Sequence, residues 1–454
     1  MIVILKNTIR KLRNSSYWVK SGTLVLATRV SLMMLGFIGF LILIRYLNKD
    51  QFGIWVIFMT ITSLIETVRI GFLKSPLMIL NADSSIKKDL LYSTSLYLNI
   101  FLTLLTIIVI VLVVSVWGLF FNIEQIQGLF FLFFIKIFLV SLADHFDLVQ
   151  ETNLDFRGTF QDLLSRNFIF ILLMVFWVLF NFQLTLNTLV IFQILGCFFG
   201  VLLSLLNAYI KRIKVLTTIR YNTKYIKRYF DLGKFTFGSS LISIASRNID
   251  TWMLGALISP AAVALYNPAL RLSNIFEIPS STMSTILLPK LTKKIGDEGP
   301  SSVGYYYERS LIYVLMFMIP IIVISFIFSS EIILLVVGEG FNQSSELLRI
   351  TIFYGLLIPF NRQFTVIMEA IGKPKISFLV IVFTLVLSLS ANYIFITIYG
   401  LFGAAYGSLL TYILVFVFIQ VYLHHQFRIK LWKILLGVIP AYYKIPQRIL
   451  KTLK

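Results

Sequence analysis

Residues 93–120 read STSLYLNIFLTLLTIIVIVLVVSVWGLF, and no charged residue interrupts them. A helix needs about 20 mostly apolar residues to cross a bilayer, and this stretch exceeds that length. Hydrophobic residues make up 58% of the chain and charged residues only 13%, whereas soluble domains are about 45–50% apolar. The fold class that follows is all-α: a polytopic membrane protein.

Scanning outward from this stretch gives twelve candidate spans. Their approximate limits are 21–45, 51–74, 93–120, 127–149, 164–182, 185–209, 234–258, 262–288, 309–329, 346–371, 375–399 and 401–424. The basic start, Met1–Lys20, precedes an apolar stretch long enough to span and without a small-residue cleavage site, so it reads as an uncleaved first helix. Cys197 is the single cysteine, which excludes an intrachain disulfide, and no Cys/His cluster suggests a metal site.

The net charge of +20 raises a nucleic-acid reading, and the positions of the basic residues argue against it. Thirty-one of the 40 Lys and Arg fall in alternate connections and the two tails, two (Arg45 and Lys49) on the other side, and seven inside spans. The positive-inside rule then puts both termini in the cytosol of a bacterial cytoplasmic (inner) membrane protein. The charge is a topology signal, and anionic lipid headgroups are the expected partners of Lys211–Lys234 and of the tail from Arg428. The layout is a basic amphipathic segment at 1–20, a six-helix bundle at 21–210, a basic linker at 211–233, a second bundle at 234–424 and an amphipathic basic tail at 425–454. The opposite connections, such as Ser259–Ala261 and Tyr399–Gly400, are tight turns.

The halves carry a weak ordered repeat. Leu47–Trp55 matches Ile258–Tyr266 at an offset of 211, which also takes Glu66 to Glu277, and an offset of 213 takes Pro76 to Pro289. Repeats of this kind place two bundles around a central cavity in many transporters.

Five arginines stand out inside the spans: Arg29, Arg69, Arg247, Arg271 and Arg362. An arginine at the centre of a spanning helix costs at least about 2.5–3.5 kcal/mol. Arg29, Arg247 and Arg271 lie deep, and cavity lining is the expectation for them; Arg69 and Arg362 sit near cytosolic ends, where snorkelling is open to them. Glu66 with Arg69, and Arg247 with Asp250, are spaced i, i+3 and read as intrahelical pairs. Neither Arg29 nor Arg271 has an acidic residue within four positions. Asp144, Asp147, Asp250, Glu66 and Glu277 are candidate ion-coupling or counter-ion groups for protons or sodium. Asp144 and Asp147 are placed near the cytosolic interface, His145 reads as structural, and Lys136 shares their span. Pro268 and Pro279 predict a bent eighth span.

Arg45-Tyr-Leu-Asn-Lys-Asp-Gln-Phe-Gly-Ile-Trp55 resembles the second-helix signature of polysaccharide flippases. Asn248–Gly255, Val263–Leu272 and Leu288–Leu291 resemble their second-half pattern, with Ala264 where relatives usually have glycine. Arg69–Leu73 stands where many relatives have an aspartate. With the span layout, the chain is similar to the oligosaccharide (Wzx-type) flippases of the multidrug/oligosaccharidyl-lipid/polysaccharide exporter superfamily. The resemblance implies transport of an undecaprenyl-diphosphate-linked oligosaccharide from inner to outer leaflet by alternating access. It implies no catalytic residue, no cofactor beyond a coupling proton or sodium ion, and a polymerase and glycosyltransferases as pathway partners. Guanidinium groups bind diphosphate oxygens in pairs. A multidrug exporter of the same superfamily is the nearest rival and predicts an acidic cavity. A membrane glycosyltransferase or polymerase, or a scaffold of polysaccharide assembly, is the rival of another class; an enzyme of that kind predicts a large outer loop.

Overall fold

The computed structural model describes residues 27–83, 85–118, 124–153, 155–213, 215, 220–298 and 302–452. The expected amphipathic segment at 1–20 lies outside them. The described chain is helical: α1 (Ala27–Tyr46), α2 (Lys49–Ala82), α3 (Lys88–Gly118), α4 (Glu124–Thr152), α5 (Arg157–Leu179), α6 (Leu186–Ile210), α7 (Thr223–Leu257), α8 (Pro260–Ser273), α9 (Glu277–Glu298), α10 (Ser302–Ile327), α11 (Ser329–Val336), α12 (Asn342–Gly355), α13 (Ile358–Ala370), α14 (Pro374–Tyr399), α15 (Leu401–Phe427) and α16 (Leu431–Thr452). Ten segments of the described chain are long and apolar enough to cross a membrane, with α12 and α13 together forming one of them.

Two expected spans differ from this pattern. The seventh lies within α7, which begins at Thr223 inside the expected linker and carries Ser246, Arg247, Asn248 and Asp250 in its upper half. The eighth is broken: α8 stops at Ser273, a 3-10 turn covers Asn274–Phe276, and α9 starts at Glu277. The break falls between Pro268 and Pro279, where two missing N–H donors weaken the helix ladder. Its counterpart in the repeat, α2, runs unbroken from Lys49 to Ala82 through Pro76, so the repeat does not extend to helix continuity.

The chain divides into two units: 1–48 with 58–241, and 49–57 with 242–454. In the first, Phe72, Leu77, Leu91, Phe146, Val149 and Tyr229 centre the core. α5 and α6 form a hairpin whose second helix starts at a Thr185–Thr188 capping box. Gly196 and Gly200, one turn apart on α6, let it press onto α5: a Cβ at Gly196 would meet the Arg166 backbone, and one at Gly200 would lie 2.9 Å from Arg166 Cγ. Small residues at this spacing allow close helix packing in membranes.

In the second unit, Leu291, Tyr307, Leu311, Phe364, Ile367, Ile419 and Ile434 centre the core. Ser259 caps α8, accepting the Ala262 N–H at 3.2 Å, and Gly400 (φ +59°) makes the α14–α15 turn, as the tight-turn reading expects. Gly53 packs on the Pro260 backbone so closely that a Cβ would overlap its carbonyl. Gly53→Ala should therefore cost about 1–3 kcal/mol or more. A lower melting temperature in detergent checks this; an unchanged one would show that α2 and α8 part easily.

Candidate functional site

The first unit buries a chain of charges that joins five helices. Arg69 on α2 is 2% exposed. One guanidinium nitrogen donates to Asn99 Oδ1 on α3 and the other to Asp144 Oδ2 on α4. Asn99 in turn donates to the Ser141 carbonyl at 2.6 Å. Arg166 on α5 lies 3.8 Å from the other Asp144 oxygen, and its Nε donates to Asp162 Oδ1 at 2.7 Å. Asp147 lies within hydrogen-bond reach of Asp162 and accepts from Ser204 Oγ on α6 at 2.8 Å. Gln150 donates to Ser204 Oγ at 2.8 Å and accepts from Asn207 at 2.5 Å. Lys136 Nζ, on the same α4, sits 3.0 Å from Glu66 Oε1.

Several expectations change here. Arg69 does not snorkel, because protein covers it on all sides. Arg69 and Glu66 are not an intrahelical pair: Glu66 takes Lys136, and Arg69 takes Asp144. Asp147 is buried and the Asp144 side chain is nearly so, not solvated at an interface. His145 is buried beside Phe146, in keeping with a structural role. Arg166 and Asp162 were not singled out by sequence, although their i, i+4 spacing was a readable signal.

The second unit buries one acid among hydroxyls. Asp250 Oδ2 on α7 accepts from Tyr266 Oη on α8 at 3.0 Å and from Ser408 Oγ on α15 at 2.9 Å. The expected Arg247–Asp250 pair is not formed; Arg247 is exposed while Asp250 is buried. Tyr354 and Tyr412 stack near this carboxylate with ring centroids 5.0 Å apart. Across the same helices, Ser273 and Thr351 hydroxyls bond at 2.7 Å, and Ser344 donates to the Leu265 carbonyl at 2.6 Å. These bonds tie α8 to α12 directly above the break that leads to Glu277.

The remaining arginines are exposed: Arg29 on α1 in the first unit, and Arg247, Arg271 and Arg362 on α7, α8 and α13 in the second. Arg349, also within a span, donates to Ser329 at 2.7 Å and so fixes α12 on α11. Among the described residues no group of His, Cys, Asp and Glu is placed to hold a metal ion.

Residues 42–346 match the family model described as "Polysaccharide biosynthesis protein". The chain belongs to this family. The chain is also similar, at a distance, to individual proteins. A "Putative O-antigen transporter" from Shigella flexneri is 27% identical over 220 residues, covering 46% of this chain and 50% of that protein. A "Probable low-salt glycan biosynthesis flippase Agl15" from Haloferax volcanii is 22% identical over 200 residues, covering 44% and 42%. The chain thus spans about half the length of the curated relatives it matches. Solved structures share the fold over nearly the whole chain. The lipid II flippase MurJ in an inward closed conformation aligns at TM-score 0.70 and 15% identity, covering 93% of this chain and 90% of that one. An inward-facing multidrug resistance MATE transporter of the MOP superfamily aligns at TM-score 0.73 and 15% identity, covering 87% and 94%. This polysaccharide biosynthesis family member therefore shares the fold of these two transporters.

Proposed function

We propose that this protein moves a polyprenyl-diphosphate-linked oligosaccharide from the inner to the outer leaflet of a bacterial cytoplasmic membrane by alternating access. The observation that carries the reading is the exposure of Arg29, Arg247, Arg271 and Arg362 on helices of a family tied to polysaccharide synthesis. A guanidinium facing lipid is costly, so these side chains serve where water or an anion reaches them. A diphosphate offers paired anionic oxygens that a guanidinium meets with two N–H donors. Each of the four is a contact along the cargo's path, argued within its own unit. A cationic drug cargo fits poorly, because Arg247, Arg271 and Arg362 all repel it from the second unit.

Arg69 leaves the cargo set because its guanidinium is committed to Asn99 and Asp144. It belongs with the coupling groups. The first-unit network holds Glu66, Asp144, Asp147 and Asp162 against Lys136, Arg69 and Arg166. One more acid than base leaves room for one proton or one sodium ion, and Asp250 offers a second such position. Polymerase and glycosyltransferases of the same pathway supply and consume the cargo.

The test is polysaccharide display in a deletion strain carrying Arg29→Ala or Arg271→Ala. Surface polysaccharide is expected to disappear in each, with membrane protein level unchanged. Normal polysaccharide in both variants would contradict the reading.

A further inference from the structure

The sequence places the tail from Leu431 on the cytosolic membrane surface. Its packing says otherwise. Gly304, near the start of α10, lies beside the Phe427 carbonyl and Ile429. Further along, a Cβ at Gly437 would press on Ile312 of α10. Further still, Tyr442 Oη donates to the Met316 carbonyl at 2.5 Å. Residue numbers rise together on both helices, so α16 runs parallel to α10. The connection at Phe427–Ile429 and α16 together follow α10 from Gly304 to Met316, about 18 Å along a helix axis, and α16 itself from Ile312 to Met316. A tail lying flat on the surface cannot follow a spanning helix that far.

The Tyr442 bond has a specific cause. The Met316 carbonyl would normally accept from residue 320, which is a proline and has no N–H. An orphan carbonyl in hydrocarbon costs several kcal/mol unless protein supplies a donor. Tyr442 supplies it.

The two sides of α16 match this depth. Ile434, Val438 and Ala441 are buried against the second-unit core. Trp432, Leu435, Leu436 and Ile439 form an exposed stripe on the other side. Ile434–Tyr443 contains no charge; Arg428, Lys430 and Lys433 precede it, and Lys444, Arg448 and Lys451 follow it. α10 presents its own exposed apolar residues, Phe317, Ile321 and Ile324, to the surroundings.

We infer that Leu431–Tyr442 is a membrane-inserted segment, docked along α10 by the Tyr442–Met316 bond, whose exposed stripe is covered by lipid acyl chains. Its basic start sits at the headgroups, and depth increases toward Tyr442. This stands apart from the identity of the cargo.

The test uses single cysteines at Arg428, Trp432, Leu436 and Ile439, labelled with an environment-sensitive fluorophore. Cys197 is buried, so the wild-type chain or a Cys197→Ala background both serve. The full chain is reconstituted in phosphatidylcholine/phosphatidylglycerol vesicles with bromine at defined acyl positions. Quenching depth is expected to increase in the order 428, 432, 436, 439, with Ile439 about 10 Å deeper than Trp432. Equal depth at all four sites would overturn the inference in favour of a surface helix. Cross-linking of Leu436→Cys between copies, without quenching, would overturn it in favour of a second copy as the cover. Tyr442→Phe keeps the ring and removes the donor; a lower melting temperature is expected, and no change would remove the Tyr442–Met316 dock.

Discussion

Replacing Arg69 with alanine is expected to cost the first unit about 3–5 kcal/mol, the usual penalty for stranding one member of a buried ion pair. The Asp144 carboxyl would be left with only the more distant Arg166, at 3.8 Å, as a basic partner. Asn99 would lose the donor to its Oδ1 while still donating to Ser141. The loss falls on α2, α3 and α4 together. Thermal unfolding of the purified protein in detergent should show a large drop, and expression in membranes should fall with it. Arg69→Lys should recover only part of the stability, because an ammonium cannot fork to Asn99 and Asp144. The double variant Arg69→Ala with Asp144→Asn should be more stable than Arg69→Ala alone, since it removes the stranded charge. If Arg69→Ala unfolds at the wild-type temperature, the network is a solvated cluster and not a buried one.

The second large effect is on transport and not on folding. Asp250→Asn keeps an acceptor oxygen where Tyr266 and Ser408 both donate, so the fold should survive with a nearly unchanged melting temperature. An amide cannot take up a proton or hold sodium by charge. Gradient-driven movement of the lipid-linked cargo in proteoliposomes should therefore be lost in Asp250→Asn, while passive equilibration remains. Gradient-driven transport equal to wild type would remove Asp250 from the coupling groups and leave the first-unit acids to carry that role.

Ten of the twelve expected spans and the all-α class were legible because a bilayer demands long apolar runs, and residues 93–120 meet that demand without ambiguity. The tight turns at Ser259 and Gly400 were legible for a similar local reason. The fate of Arg69 was not. Its partners Asn99 and Asp144 stand 30 and 75 positions away, and only tertiary packing brings them together. Counting residues gave a depth near the cytosolic end, but snorkelling requires a path to water that burial closes. The i, i+3 spacing of Arg247 and Asp250 misled in the opposite way: Tyr266 and Ser408, on two other helices, hold the acid, and the arginine stays exposed. Asp162 and Arg166 were readable as an i, i+4 pair, yet Arg166 was counted only among the basic residues of the connections. Pro320 withholds an N–H from the Met316 carbonyl, and that Tyr442 supplies the replacement depends on where the chain returns after Arg428.

The central claim is tested most directly in vesicles holding only this protein and a labelled polyprenyl-diphosphate oligosaccharide. The measured quantity is the fraction of label that a membrane-impermeant oxidant or lectin reaches over time. The account predicts protein-dependent movement of the headgroup to the opposite leaflet, abolished by Arg271→Ala. Movement no faster than in protein-free vesicles, alongside uptake of organic cations by the same preparation, would contradict it.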